Sequence, residues 1–462
     1  MSCKLLKNSI KWQRKMGNQE SSPSQAQQPP IRPKLAAAGT LIPARRMSVD
    51  RLLTISTLPN SNNLWNQSYS RIIETAFTGV WSNVIPKGTL PKARIGHFTV
   101  CSQNADKAYV GYGNSPSGEV LNDVWELDLD NLTWREIDVF LKNENSDNPS
   151  IESNNGENKI KGRIGSSATM NESTIYVFGG TIGDQYITEL HSIDINTGEI
   201  KFMNYSDETS DSEKPTARAT PVFQYYDGRL ILWGGFNGQF PTDLYSYDLQ
   251  TQNWTRTDPK ISGRAGIPWC LMNDQILCYG GTKGGEMLSI QPLDLTITVI
   301  PCTGILPPSE NTGFQMVAAD RYIFFFGGKA NTSWTFLYAC DASRKEKMSW
   351  FVFDMKPDGE TVKTEDGHIS DLGLFMLPRL HSFSAAYSQT KKALVGFFGY
   401  PQLEPPPIHM ISIGEAISVL NQQDDLVKAL KVTGEAHQGE SKLPGIVKAR
   451  TVQANEAIEQ NM

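Results

Sequence analysis

Short apolar runs that close on glycine punctuate this chain. TIYVFGG ends at Gly180, LILWGG at Gly235, QILCYGG at Gly281 and YIFFFGG at Gly328, with looser copies AYVGYG ending at Gly113 and LVGFFG at Gly399. Downstream of the runs ending at Gly113, Gly180 and Gly235 lie alternating stretches that end on an acid: NDVWELD at Asp128, TELHSID at Asp194 and TDLYSYD at Asp248. Trp134, Trp254 and Trp350 follow three of the units. Upstream of each glycine run stands a small or basic turn, at Arg94, Arg163, Ala217, Gly263, Asn311 and Arg379. Alternation with period two predicts half-buried strands, and the turn residues between them predict antiparallel connections.

The glycine spacings are 67, 55, 46, 47 and 71 residues. The shorter ones fit units that stack radially, and the longer ones fit the same unit with inserted loops. Four β-like segments per unit predict a four-stranded blade, which needs neighbours to bury both of its faces. The second strand is expected nearest the axis. Its glycines allow close backbone approach and positive φ, and Tyr176, Phe178, Trp233, Tyr279 and Phe325 fill the seams. These residues resemble the kelch repeat family over about residues 77–413, which implies an all-β, six-bladed propeller. Unit four lacks a closing Trp, and unit two has Ile200 and Phe202 in its place.

Closure provides a sharper expectation. The sixth unit has no outer strand after IHMISI (Ile408 to Ile413), whereas Trp81 stands thirteen residues before Arg94 with no unit of its own. Residues 77–85 are therefore predicted to complete the blade of residues 379–413, which removes exposed sheet edges.

Charge divides the chain. Residues 1–60 hold ten Lys/Arg and two Asp/Glu, or +8, so the remainder carries −14 of the net −6. An acidic body argues against a nucleic-acid face. The arm is rich in Gln, Ser and Pro and reads as disordered. Within it, RRMSVD presents Ser48 as a basophilic phosphorylation site, MGNQES (Met16 to Ser21) has the N-myristoylation form, and residues 4–15 are basic enough for peripheral contact with an anionic membrane. No apolar run is long enough to span a bilayer, the start lacks a secretory leader pattern, and six scattered cysteines form no CxxC; a cytoplasmic setting follows. Residues 138–161 read as a polar surface loop, LGLFML (Leu372 to Leu377) as packing on the ring, and Glu415 to Lys431 as an amphipathic helix heading a C-terminal tail over 414–462.

Candidate chemistry is sparse. The six histidines show no HxxxH or HExxH spacing, and His97 and His381 occupy equivalent turns; neither metal nor cofactor is expected. No nucleophile elbow or phosphate loop is present. The recurring arginines Arg94, Arg163, Arg218, Arg264 and Arg379 have two readings: a cationic ring at the channel mouth suited to acidic partners, or local pairing of each to a neighbouring blade. Phe236, Asn237 and Lys329 lie on loops beyond the glycines and are candidates for partner contact. The resemblance implies a protein-binding scaffold without chemistry of its own, cytoskeletal (actin) or, alternatively, the recognition subunit of a ubiquitin ligase. A propeller enzyme of the oxidase or sugar-epimerase type is the remaining alternative.

Overall fold

Each glycine run lies on the second strand of a meander whose four strands pair in sequence order. The computed structural model describes residues 78–141, 150–154, 157–203, 210, 212–281, 285–308, 311–329, 337–343, 345, 347–357 and 380–413. The chain divides into two units, one of Met1–Thr78, Ile369–Phe375 and Glu415–Met462, the other of Gly79–His368 and Met376–Gly414. The second unit is the propeller. The basic arm with Ser48, the LGLFML stretch, Arg379 and the Glu415–Lys431 segment lie outside the described residues.

The first blade is Phe98–Cys101, Lys107–Gly111, Val124–Asp128 and Thr133–Ile137. The second is Ser167–Asn171, Thr174–Phe178, Leu190–Asp194 and Glu199–Phe202. Val222–Tyr226, Arg229–Trp233, Leu244–Asp248 and Trp254–Thr257 form the third. Trp269–Met272, Gln275–Tyr279, Met287–Gln291 and Thr296–Ile300 form the fourth. The fifth is Phe314–Ala319, Tyr322–Gly327, Leu337–Asp341 and Met348–Pro357. Ser384–Ser388, Ala393–Phe397 and Ile408–Ser412 make three strands of the sixth.

The sixth blade takes its fourth strand from the other end of the propeller. Thr78–Val84 pairs antiparallel with Ile408–Ser412, with Trp81 opposite Ile411 and Val84 opposite Ile408. The long outer strand of blade five lies on the other side of this closing strand, so blades five and six share one hydrogen-bonded sheet. The outer strands of blades two and five also gain a neighbour. Phe140–Leu141 adds a parallel strand to blade two, and Cys302–Gly304 does the same for blade five. Pairing of this kind removes the exposed donors and acceptors that invite aggregation.

One expectation is corrected here. The first strand of each blade, not the second, is innermost: Ser167–Asn171 lies beside both Phe98–Cys101 and Val222–Tyr226, and Phe314–Ala319 lies beside both Trp269–Met272 and Ser384–Ser388. Hydroxyls and amides staple these inner strands across the seams. Thr99 donates to Ser384 Oγ at 2.6 Å, Ser167 to the Pro221 carbonyl at 2.6 Å, and Gln315 to the Phe383 carbonyl at 2.5 Å. A crowded axis favours polar groups that satisfy one another over bulky apolar ones.

The Asp and Trp landmarks now have separate causes. Asp128, Asp194 and Asp248 each accept two backbone N–H bonds from the turn to the fourth strand, at 2.8–3.0 Å, the Asx geometry that local carboxylates favour. The tryptophans face the preceding blade. Trp134 packs on Phe397 and Phe398, Trp254 on Phe178, and Trp350 on Tyr279. Burying each indole is worth about 4–6 kcal/mol by area. Where the Trp is missing, aliphatic residues fill the seam: Ile200 joins the core with Tyr109 and Tyr112, and Ile297 joins Trp233 and Leu244.

The insert at 138–161 is also corrected in part. Ile151–Asn154 and Glu157–Ile160 form a hairpin whose ends, Ile151 and Ile160, are buried. Two isoleucines in an Asn-rich stretch anchor it, a signal too sparse to predict strands.

Candidate functional site

Antiparallel order within a blade puts two kinds of loop on one rim. The first strand leaves the arginine turn and the second returns to the glycines, so both features share an end of the ring. The connections between first and second strands lie on the opposite rim. The shared rim therefore holds nearly every residue that the sequence nominates for binding.

The four described arginines are anchors of the ring. Arg94, Arg163 and Arg218 are fully buried, and Arg264 is 4% exposed. Arg94 grips Asp123 with both arms, at 2.7 and 2.9 Å, and donates to the Tyr112 carbonyl at 3.2 Å. Arg163 reaches Glu189 at 2.7 Å. Arg264 donates to the Gly280 carbonyl at 2.9 Å and to Glu286 at 2.6 Å. Arg218 donates to the Gly234 carbonyl at 3.0 Å and to the Thr216 hydroxyl at 2.8 Å, while the nearby carboxylate of Asp243 pairs with Arg256. The pairing is local, as the second reading has it, but each ion pair is made to an acid of the arginine's own blade and not to a neighbouring one.

The carboxylates were legible but missed. Asp123, Glu189, Asp243 and Glu286 each stand one residue before the third strand of their blade. In blade five the arginine position holds Asn311, which donates to the Gly327 carbonyl at 2.8 Å, and no acid precedes the third strand. In blade six that position holds Leu380, again without an acid before Ile408. Acid and arginine come and go together, which identifies the pair from the repeats alone.

Leu380 also corrects the register of the last unit. Gly328 N–H donates to the Leu380 carbonyl at 2.7 Å, as Gly113 does to Arg163, Gly180 to Arg218, Gly235 to Arg264 and Gly399 to Arg94. His381 therefore matches Ile95, not His97, and Arg379 precedes the conserved geometry by one residue. These bonds run from each blade to the next and explain the second glycine. At Gly235, φ is +90° and a Cβ would stand 2.9 Å from the Ala219 carbonyl. In blades one and six the first glycine is replaced by Tyr112 and Phe398, at φ of +63° and +58°. That conformation costs about 1–2 kcal/mol, and each ring lies under an arginine of the next blade: Tyr112 under Arg163 and Phe398 under Arg94, at 5.5 and 5.3 Å.

The rim histidines are held neutral. Burial, then the charge of Arg94, pulls His97 down to about 3, and its Nε2 lies 2.7 Å from Ser384 Oγ. Burial and Lys329 lower His381 to about 4. Among the described residues no group of three or more His, Cys, Asp or Glu side chains is placed to hold a metal ion. No helix among them is long and apolar enough to cross a membrane.

Above this frame lie the loops. Phe236 is buried, 5.1 Å from Phe240 and 6.1 Å from Tyr186, both half-buried. Asn237 closes its own turn, accepting from the Gln239 N–H at 3.2 Å. Lys329 is exposed, and Tyr400 and Leu403 are 54% and 45% exposed. Tyr400 and Leu403 were not singled out in the sequence, because exposure of a loop aromatic depends on the fold around it.

A model of the KLHDC2/KLHL20/DRC7 Kelch-repeats domain matches residues 142–328. The chain is 24% identical over 288 residues to Kelch domain-containing protein 10 of Homo sapiens, covering 59% of each protein. It is 26% identical over 226 residues to Acyl-CoA-binding domain-containing protein 5 of Arabidopsis thaliana, covering 45% of this chain and 34% of that protein. Over 215 residues it is 26% identical to Host cell factor homolog hcf-1 of Caenorhabditis elegans, covering 41% and 25%. The matched region is thus less than two thirds of each of these relatives. Six four-stranded units, a kelch-repeat model matching residues 142–328 and kelch-domain relatives at 24% identity show a six-bladed β-propeller that is similar to the kelch-repeat family.

Proposed function

We propose that this chain is a non-enzymatic binding module that holds a protein partner on the rim shared by the arginine turns and glycine loops. The observation that carries the proposal is the division of labour on that rim. Four buried arginines are consumed in fixing the frame, and exposed or half-exposed aromatics and amides stand above it at Tyr186, Asn237, Phe240 and Tyr400. Rigid scaffolds that present aromatic side chains on loops are suited to protein recognition, because two-torsion rings bury area at small entropic cost. In this reading Phe236 acts beneath the surface, as the seat for Phe240, and Asn237 and Lys329 make direct contact.

Affinity capture with the full chain tests the proposal. Proteins retained by the wild type are compared with those retained by a Phe240→Ala/Tyr400→Ala variant and by a Glu172→Ala/Asp274→Ala variant on the opposite rim. Loss of about tenfold or more of the retained proteins in the first variant alone is expected, since central aromatic anchors carry most of an interface's energy. Equal retention by both, or loss only from the opposite rim, overturns it.

A further inference from the structure

Several cations of the shared rim have carboxylate partners, and Arg218, which has none, donates instead to the Gly234 carbonyl and the Thr216 hydroxyl. Arg94, Arg163, Arg264, Lys92 and Arg256 all have carboxylate partners, on Asp123, Glu189, Glu286, Glu119 and Asp243. Lys329 has none: its ammonium makes no ion pair or hydrogen bond among the described residues. It follows the glycine turn of blade five, the position held by Asn114, Thr181, Phe236 and Tyr400 in other blades, none of them charged.

The backbone fixes what stands beside it. Gly328 N–H donates to the Leu380 carbonyl at 2.7 Å, and Lys329 N–H to the Thr312 carbonyl at 3.0 Å, so Lys329 adjoins His381 across the seam between blades five and six. The His381 ring stacks on Tyr400 with centroids 4.9 Å apart and planes 19° from parallel, and that pair is locked by two backbone bonds between the same residues, at 2.9 and 3.2 Å. Tyr400 leaves more than half its surface to solvent. Although Lys329 is an exposed residue, surrounding protein atoms partly desolvate its ammonium and hold it below the ordinary lysine range, which without a counter-ion is unfavourable by itself. An ammonium offers donors only, and so accepts a ligand group that is anionic and an acceptor. An exposed aromatic stack next to it adds a flat apolar wall, which suits an acid flanked by an apolar or aromatic residue.

We propose that Lys329, His381 and Tyr400 form a subsite for an acidic side chain, Asp or Glu, on an extended peptide of a partner protein. The proposal rests on the assignment of the shared rim as the binding face and names the chemistry recognised there. His381 orients Tyr400 through the stack, Tyr400 covers the apolar flank of the acid, and Lys329 supplies the charge. The subsite sits on the seam between two blades whose sheets are joined, so its parts are held by a stiff frame.

The test uses the full chain and a set of N-acetylated, C-amidated nonapeptides with Glu or Asp at the centre between aromatic or apolar residues. Each is paired with its Gln or Asn counterpart and with a phosphoserine counterpart, and binding is read by fluorescence anisotropy at two salt concentrations. Capping the termini leaves side chains as the only anions. The expected result is that acidic members bind at least about tenfold more tightly than their amide counterparts, the worth of one charge-assisted hydrogen bond in a partly desolvated site. Lys329→Ala abolishes the difference, Lys329→Arg keeps part of it, and Lys345→Ala on the opposite rim leaves it intact. Thermal unfolding of each variant checks that the fold is retained. Equal binding of acid and amide, an unchanged preference in Lys329→Ala, or selective binding of the phosphoserine members overturns the proposal. If no capped acidic peptide binds while protein capture still depends on Phe240 and Tyr400, this subsite fails and the binding rim stands; if capture is indifferent to both, the rim itself fails.

Discussion

Replacing Arg94 by Met separates the two readings of the recurring arginines. The substitution keeps an aliphatic stem above Phe398 and removes the fork that holds Asp123. Breaking a buried ion pair by deleting one partner costs about 3–5 kcal/mol, because the remaining charge stays buried without compensation. Asp123 here is 21% exposed and keeps the Trp125 indole N–H at 2.7 Å, which places its share near the lower limit, about 3 kcal/mol. The Tyr112 carbonyl, otherwise bonded at 3.2 Å, loses a partner, adding about 1 kcal/mol. The total is about 4 kcal/mol. Urea unfolding followed by tryptophan fluorescence and circular dichroism measures it, provided the two transitions coincide. A cycle with Asp123→Leu should return a coupling of about 2 kcal/mol, since removing both charges leaves neither orphaned. A loss under about 1 kcal/mol, accompanied by weakened partner binding, would refute the reasoning and restore the cationic ring.

Further expectations follow from the same frame. Trp254→Ala, which empties a seam against Phe178, Tyr245 and Tyr247, should cost about 3–5 kcal/mol in the same urea assay. Gly235→Val combines a φ of +90° with a Cβ 2.9 Å from a carbonyl of the neighbouring turn, so it should lower the melting temperature far more than Gly228→Ala, where a Cβ meets nothing within 4 Å; equal shifts would count against the crowding argument. Burial holds His97 near 3 and His191 and His409 near 4, against 6.5 when unfolded. Protons then bind the unfolded chain more readily, so stability is full above pH 6.5 and falls as the pH drops from there toward 4; His409→Asn should shallow that slope, and a flat profile would contradict it. Deleting residues 78–84 should leave blade six one strand short and raise light scattering, whereas deleting residues 1–50 should leave thermal stability nearly unchanged.

The ring was readable because its strongest constraints are local. Glycines forced into positive φ beside a neighbour's carbonyl, and indoles wedged between sheets, recur at fixed offsets, and the unassigned Trp81 pointed to the closing strand. The binding surface was harder. Arginine recurs for a structural reason, yet recurrence of a charged residue near a channel also resembles a functional ring; only the acid one residue before each third strand distinguishes the two. The last unit misled by one position because Arg379 lies next to Leu380, and composition outweighed register. Tyr400 carried no signal at all, since its exposure and its stack on His381 arise from two loops, 19 residues apart at these positions, that meet at one end of the blade.

The division between a structural frame and a binding rim is tested most directly by placing a photo-reactive benzophenone amino acid at one position at a time in the full chain. Asn237 and Tyr400 sample the shared rim; Glu172 and Asp274 sample the opposite one. Covalent adducts to the same partner from the first two sites and none from the last two is the predicted result. Adducts from the opposite rim, or from all four sites alike, would contradict it.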